Sequence, residues 1–183
     1  MAPQRAAAGA KSAARSSLDI LVQNATVQVF QTYGVATAPV TRAPDAELSC
    51  DRADLAGAIA FFYGGTQGQL VLCVPLAVLA STRDDLTDPT WALDWIRELT
   101  NQLMGRIKNR MLRFQVDLRL GMPTAAKAEH LVGRSSKRTR PPWVYQFRSM
   151  RGDVWLALHD MIDESRLRYS GVELASEGDV LLF

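Results

Sequence analysis

The longest regular pattern in the chain runs from Asp88 to about Leu112 and is typical of an amphipathic helix. Asp88 suits the N-cap position, and Pro89 suits the first turn because that turn leaves its amide hydrogens unbonded anyway. The pattern covers about 24 residues, so the helix would be about 36 Å long at about 1.5 Å per residue. A helix with one apolar face needs another layer to cover that face, which constrains the whole domain.

Sorting these positions at about 100° per residue separates the helix into an apolar half and a polar half. The apolar half, which we expect to face the core, holds Trp95, Ile96, Leu99, Leu103, Ile107, Met111 and Phe114. The opposite half holds Arg97, Glu98, Asn101, Gln102, Gly105, Lys108 and Asn109. Glu98 and Asn101 are about 60° apart and one turn along, and Gly105 follows one turn later. We call Glu98, Asn101 and Gly105 the outward ridge.

Two hairpin patterns indicate what covers the apolar half of the helix. In "FFYGGTQGQLVLCV", apolar runs flank a glycine-rich turn in which Gly64, Gly65 and Gly68 supply backbone freedom. This stretch lacks the Gly-Lys-Ser/Thr ending of a phosphate-binding loop, so a turn is the better interpretation. A second pair of apolar segments flanks Arg-Gly-Asp at 151–153 and predicts a second hairpin.

The remaining patterns complete an α+β domain with a largely antiparallel sheet and helices packed on a face. Residues 17–33 predict a helix that is capped by Ser17 or Asp19 and stops at Gly34. Residues 35–53 predict a short strand with loops. Further along, the chain predicts a short helix with Pro75 in its first turn and a half-buried strand over "FQVDLRL" that ends at Gly121 and Pro123.

The chain divides into three parts by composition. Residues 1–16 are basic and alanine-rich without the apolar core of a secretory signal, so we expect a disordered extension. Residues 17–163 form one domain, and residues 164–183 form a C-terminal extension that adds an edge strand or stays partly mobile. No apolar run approaches the roughly 18 residues that a membrane helix needs. We therefore expect a cytoplasmic protein.

Composition narrows the function further. The chain is 48% hydrophobic and 22% charged, as a globular domain is, and its net charge of +2 is too small to indicate nucleic-acid binding. Cys50 and Cys73 could form a disulfide, but two reduced thiols are the simpler expectation. His130 and His159 lack metal-site spacing, so no metal site is predicted. The basic loop at 134–140 is either solvated or a docking patch for an acidic partner.

The chemistry available on the outward ridge is limited. The Asn101 amide both donates and accepts hydrogen bonds, so it can hold a water molecule, and Glu98 can pair with a cation on a partner. Neither residue is a nucleophile with an activating base. Gly105 costs roughly 1 kcal/mol relative to alanine in mid-helix, either to leave room for another molecule or to allow close packing within this chain. The ridge would thus supplement a site on another protein, or be ordinary surface.

The segment "RELTNQLMGRIKNRM" resembles the helix of the CheC/CheX-type chemotaxis phosphatases. Their pattern is Glu-x-x-Asn with a small residue four positions later, matched here by Glu98, Asn101 and Gly105. The glycine-rich hairpin, the short helix "PLAVLA", the strand that runs into a proline and the final strand pair also occur in the family's order. The resemblance spans about residues 18 to 162. The chain differs at Arg97, where glycine is frequent, and at Arg106, which follows Gly105.

The resemblance implies a CheC/CheX-like fold and a phosphatase that hydrolyses the aspartyl phosphate of a response-regulator receiver domain. Asn101 would position the attacking water and Glu98 would dock to the receiver's lysine. Gly105, Arg97, Gln102 and Lys108 would contact the partner.

The resemblance also implies that the receiver provides the phosphoaspartate and the Mg²⁺, so the chain needs no cofactor of its own. A single Glu-x-x-Asn helix favours the CheX type, and the family suggests a homodimer, with no nucleic acid or membrane as partner. The alternative is a non-catalytic CheX-like adaptor or dimerisation module that binds a receiver or another signalling partner.

Overall fold

A seven-stranded antiparallel sheet dominates the computed structural model, which describes residues 17–43, 48, 50, 54–84, 88–132, 141–162 and 167. The helices are α1 (Ser17–Thr32), α2 (Leu76–Leu79), α3 (Pro89–Met111) and α4 (Ala128–Val132), with a 3-10 turn at Leu112–Phe114. The strands are β1 (Ala38–Ala43), β2 (Leu55–Tyr63), β3 (Thr66–Val74), β4 (Arg119–Leu120), β5 (Thr124–Lys127), β6 (Trp143–Ser149) and β7 (Gly152–His159). The expected α+β class is confirmed.

The strands follow the order β1-β6-β7-β3-β2, and β4 and β5 both pair with the outer side of β2. All of these pairings are antiparallel. Alternate residues of β2, β3, β6 and β7 point into the main core, where they meet the apolar sides of α1 and α3. The central layer is therefore the sheet, and α3 is the long helix that covers it.

The first hairpin forms as expected, with Tyr63 paired to Thr66 across Gly64 and Gly65. These two glycines have φ angles of +54° and +80°, which L-residues with a side chain rarely adopt. Gly68 has another role than the expected one, since it lies inside β3. A Cβ atom there would approach the Phe61 ring to 2.2 Å, so this glycine makes room for a core side chain.

Helix α1 ends as expected, with Gly34 at a φ of +74°. The amide of Val35 donates to the carbonyl of Phe30 over 3.1 Å, which closes the end of the helix. Asp19 does not serve as the cap. It lies in the third position of the helix, is buried, and accepts a hydrogen bond of 2.8 Å from the hydroxyl of Tyr145.

The segment after α3 keeps the expected alternation but forms less strand than expected. Val116 and Leu118 are buried and Asp117 is exposed, yet only Arg119–Leu120 pairs with β2. After Pro123 the chain returns to the sheet, since β5 follows and pairs with the other half of β2. A long strand such as β2 can hold two short neighbours on one side, which alternation alone does not reveal.

The second face of the sheet carries a smaller cluster that includes Cys73, with Cys50 packed at its margin. Both cysteines are free thiols, so no disulfide joins them. A hydrogen bond with Cys50, together with burial, raises the pKa of the Cys73 thiol. Because the thiolate is the reactive form, Cys73 acts as a buried small hydrophobe and not as a nucleophile.

Several expectations concern other parts of the chain. The N-terminal extension at 1–16, the basic loop at 134–140 and nearly all of 164–183 lie outside the described residues. Within the described part, none of the helices is both long enough and apolar enough to cross a membrane.

Candidate functional site

Helix α3 has the limits that the sequence predicts, and its N-terminus is capped as expected. The side chain of Asp88 accepts a hydrogen bond of 2.6 Å from the amide of Thr90, and Pro89 occupies the first turn. The apolar positions expected to face the core are buried, except that Phe114 is half-buried in the 3-10 turn beyond the helix. The helix therefore presents a defined outer side.

Contact with β2 fixes how α3 lies on the sheet. A Cβ atom on Gly57 would come within 2.0 Å of Oγ1 of Thr100 and 2.9 Å of the carbonyl oxygen of Ile96. Only glycine lets the helix backbone approach the strand this closely. Thr100 itself is buried, and its hydroxyl donates to the carbonyl of Ile96 over 2.7 Å. The outer side of α3 is thus held by a close contact directly behind it.

Glu98 and Asn101 both lie exposed on that outer side, as the helical spacing predicts. Leu99 and Thr100, which separate them in sequence, are fully buried. Among the described residues, no hydrogen bond or ion pair holds the Asn101 side chain. Its amide is therefore available to a water molecule or to another protein.

Gly105 completes the ridge, and the structure distinguishes the two uses considered for it. A Cβ atom at this position would meet no atom within 4 Å among the described residues. Close packing within the chain therefore does not explain the glycine. The open space above the helix explains it better, because a side chain at Gly105 would project toward any molecule that approaches Glu98 and Asn101.

Among the described residues, Glu98 has one hydrogen-bond partner. Its Oε1 accepts a hydrogen bond of 2.8 Å from Nε2 of Gln102, one turn further along α3. Oε1 of Gln102 in turn accepts a hydrogen bond of 2.8 Å from the hydroxyl of Tyr33, at the end of α1. Gln102 is half-buried between the two. This expected partner-binding residue is thus tied to Glu98 by a direct bond.

The two arginines near the ridge, Arg97 and Arg106, have partners other than Glu98. Nη2 of Arg97 lies 2.7 Å from Oδ1 of Asp94. Nη2 of Arg106 donates to Oγ1 of Thr32 over 3.3 Å. Neither arginine pairs with Glu98, whose described contacts include no cation. The two residues that depart from the family pattern therefore leave the carboxylate open.

Lys108, the remaining expected partner-binding residue, lies beyond Gly105 toward the end of α3. Its Nζ is 3.5 Å from Oδ1 of Asp117, which is largely exposed. An exposed ion pair of this kind contributes little to the stability of the fold. Lys108 is accordingly at the margin of the ridge and not at its centre.

A groove of about 360 Å³ adjoins Glu98 on the N-terminal side of the ridge, and it is lined by Arg83, Trp91, Asp94, Trp95 and Glu98. Trp91 is 54% exposed, whereas Trp95 is only 9% exposed. The guanidinium of Arg83 lies 5.2 Å from the centroid of the Trp95 ring.

Sequence reasoning did not single out Trp91, Arg83 or Tyr33. Helical spacing could have found Trp91, which is seven positions before Glu98 and so on the same side of α3. Arg83 and Tyr33 come from other segments, and no local signal connects them with the ridge.

The described residues offer no metal centre. No group of three or more His, Cys, Asp or Glu side chains lies together in the part of the chain that the structure describes. His130 is exposed on α4, with Nε2 3.8 Å from Oε1 of Glu129, and His159 is buried in β7.

No family model and no curated protein matches the sequence. Solved structures do match. CheX from Vibrio vulnificus superposes with a TM-score of 0.65 at 13% identity, over 79% of this chain and 99% of that one. A CheC-like superfamily protein from Shewanella sp. PV-4 superposes with a TM-score of 0.66 at 15% identity, over 80% of this chain and 98% of that one. The CheX of a CheX–CheY–BeF₃–Mg²⁺ complex from Borrelia burgdorferi superposes with a TM-score of 0.56 at 9% identity, over 79% of this chain and 98% of that one.

These matches define the class of fold. The chain has the α+β architecture of CheX- and CheC-like proteins, over about four-fifths of its length. At such low identities the likeness concerns the fold and not the roles of individual residues.

Proposed function

We propose that this protein accelerates hydrolysis of the aspartyl phosphate on a response-regulator receiver domain. The observation that carries the proposal is the outward ridge. It places an exposed carboxylate and an exposed amide one turn apart, with open space above the next turn, on a CheX-like fold. The Borrelia CheX of similar fold was solved in complex with CheY, BeF₃ and Mg²⁺, which supports a receiver as the partner.

Glu98 docks the receiver in this proposal. Its Oε1 is bonded to Gln102, and a carboxylate has further acceptor sites on its second oxygen. The receiver's lysine ammonium can therefore donate to Glu98 without displacing Gln102. Such charge-assisted hydrogen bonds are among the stronger ones at protein surfaces.

Asn101 positions the attacking water. Its amide oxygen accepts a hydrogen bond from the water, and its NH₂ group donates to a neighbouring oxygen, without any change of charge. Water oxygen then bonds to phosphorus while the bond from phosphorus to the aspartate oxygen breaks, which yields a free carboxylate and inorganic phosphate that carries both protons of the water. Positioning and electrostatics supply most of the catalysis in such reactions. The receiver would bring the Mg²⁺, which would neutralise charge on the phosphoryl oxygens when bound.

Phosphate loss from loaded receivers tests the proposal. Candidate receivers from the same genome are phosphorylated with a small phosphodonor, and the decay is followed with and without this protein. Asn101→Ala should lower the rate about 100-fold while binding persists. Glu98→Ala should weaken both binding and rate. Asn109→Ala, at an exposed asparagine two turns further along α3, is the matched control and should change neither.

The outcomes separate this function from its rivals. A wild-type protein that binds a phosphorylated receiver without accelerating phosphate loss is an adaptor. A protein that neither binds nor accelerates with any receiver of the genome contradicts the proposal outright. Equal losses in Asn101→Ala and Asn109→Ala would show that the ridge is not the site.

We further propose that the protein is a homodimer, as the family resemblance suggests. Light scattering after size-exclusion chromatography measures the mass directly, and a mass near 20.2 kDa at micromolar concentration would contradict a dimer.

A further inference from the structure

The side chain of Glu98 is held by a relay of two hydrogen bonds that begins at Tyr33, in the turn directly after α1. The Tyr33 hydroxyl donates to Oε1 of Gln102, and Nε2 of Gln102 donates to Oε1 of Glu98, each over 2.8 Å. The first bond joins residues that are 69 positions apart in sequence. The relay therefore exists only because α1 and α3 pack side by side.

The two bonds determine each other's direction. A glutamine amide presents oxygen on one side and NH₂ on the other. A carboxylate only accepts hydrogen bonds, so Nε2 must face Glu98 and the amide oxygen must face Tyr33. The tyrosine O–H then has an acceptor in front of it. Without that hydroxyl, the amide oxygen of Gln102 loses its partner, and among the described contacts only the bond to Glu98 orients the amide.

The hydroxyl of Tyr33 is itself well positioned. The Tyr33 ring meets the Trp95 ring edge-on, with centroids 4.9 Å apart and planes at 83°. Trp95 is nearly buried, and its indole N–H donates to Oγ1 of Thr82 over 2.7 Å. An interlocked aromatic pair of this kind favours one ring orientation.

We infer that Tyr33 and Gln102 are positioning residues that hold the Glu98 carboxylate in the orientation that docks the partner. An unsupported glutamate on an exposed helix surface would lose side-chain freedom on binding, which costs affinity. The relay pre-orders Glu98 through one oxygen and leaves the other for the partner's cation. Asn101 is outside the relay, so docking and catalysis should separate. This inference rests on the proposed function.

Tyr33→Phe tests the relay because it removes the hydroxyl and keeps the ring against Trp95. Binding is measured with a receiver carrying BeF₃ and Mg²⁺, and turnover with a phosphorylated receiver. We expect Kd and KM to rise about fivefold, as the loss of one hydrogen bond predicts, with kcat within twofold of wild type. Tyr63→Phe, at the end of β2, removes a hydroxyl that takes part in neither bond of the relay, so it is the matched control and should leave Kd unchanged.

A double-mutant cycle distinguishes positioning from a general structural effect. In a Glu98→Ala background, Tyr33→Phe should have no further effect on Kd, since there is no carboxylate left to orient. An equal loss with and without Glu98 would overturn the relay.

Further measurements test the relay separately from the proposed function. In the free protein, the side-chain NH₂ signals of Gln102 should shift in Tyr33→Phe and in Glu98→Ala, but not in Tyr63→Phe. A wild type that binds and hydrolyses while Tyr33→Phe behaves identically overturns the relay and leaves the proposed function intact. A wild type that does neither overturns the proposed function, and the positioning role with it.

Discussion

The two sides of α3 use small and polar residues for opposite purposes. On the inner side, Gly57 of β2 lets Thr100 and the helix backbone come into direct contact with the strand. On the outer side, a Cβ atom on Gly105 would meet no atom of the described residues within 4 Å beyond the backbone of its own helix, and Asn101 is exposed one turn away. The same residue type thus allows contact within the protein on one side and leaves space for another molecule on the other.

The inner side of α3 thus contributes to stability, and its outer side is left for binding. The inner side is held by packing that any substitution disturbs. The outer side carries polar groups that have few partners in the folded chain, so they can be changed at little cost to folding. Substitutions on the two sides should therefore differ in kind, and the following experiments test whether they do.

The largest expected difference is between two tryptophans one turn apart. Trp95→Ala should lower the free energy of unfolding by about 3–5 kcal/mol, because it removes a nearly buried indole. Trp91→Ala should change it by less than about 1 kcal/mol, because Trp91 is more than half exposed. Urea denaturation measures both.

Because Trp91 is exposed in the groove that adjoins Glu98, we expect Trp91→Ala to weaken receiver binding about tenfold, as the loss of an aromatic side chain from an interface does. Calorimetric titration with a BeF₃-loaded receiver measures this. Comparable destabilisation by the two substitutions would contradict the separation of the two sides.

The next effect concerns the close contact behind the ridge. Gly57→Ala should destabilise the protein by about 1–3 kcal/mol, because the new Cβ would overlap Thr100 and force α3 away from β2. Thermal unfolding followed by circular dichroism measures it. Unchanged stability would mean that the helix and strand are not in close contact.

Gly105→Ala is the matched substitution on the outer side, and its effect should have the opposite sign. A methyl group there meets open space, and alanine favours the helix over glycine by about 1 kcal/mol, so the variant should be more stable. Gly105→Met should likewise fold but lose receiver affinity about tenfold, since its side chain occupies the partner's space. A Gly105→Ala variant less stable than wild type would show that the position is packed.

The smallest effect is expected at Arg97. Arg97→Ala breaks an exposed ion pair with Asp94, so stability should change by less than about 0.5 kcal/mol, and less at high salt. Receiver affinity should stay within about twofold, since Arg97 does not pair with Glu98. Denaturation and titration at low and high salt check both. A large gain in affinity would show that this arginine opposes docking.

Much of the fold follows from local patterns that sequence alone reveals. The limits of α3 come from Asp88 and Pro89 at one end and from the strand-like alternation of "FQVDLRL" at the other. The turn at Gly64 and Gly65 comes from its composition. The exposure of Glu98 and Asn101 comes from the helical repeat. Each of these depends on interactions between residues a few positions apart, so the sequence alone is enough to predict them.

The contacts that shape the site depend on packing between distant segments. Nothing in the sequence relates Tyr33 to Gln102, or Gly57 to Thr100, because periodicity tells which side of an element is apolar and not which element covers it. The two short neighbours of β2 and the fit of Gly68 around Phe61 are of the same kind. The sequence therefore determined which residues face outward on α3. Tertiary packing decided how Glu98 is held there, because its support comes from α1 through a contact that forms only when the two helices lie together.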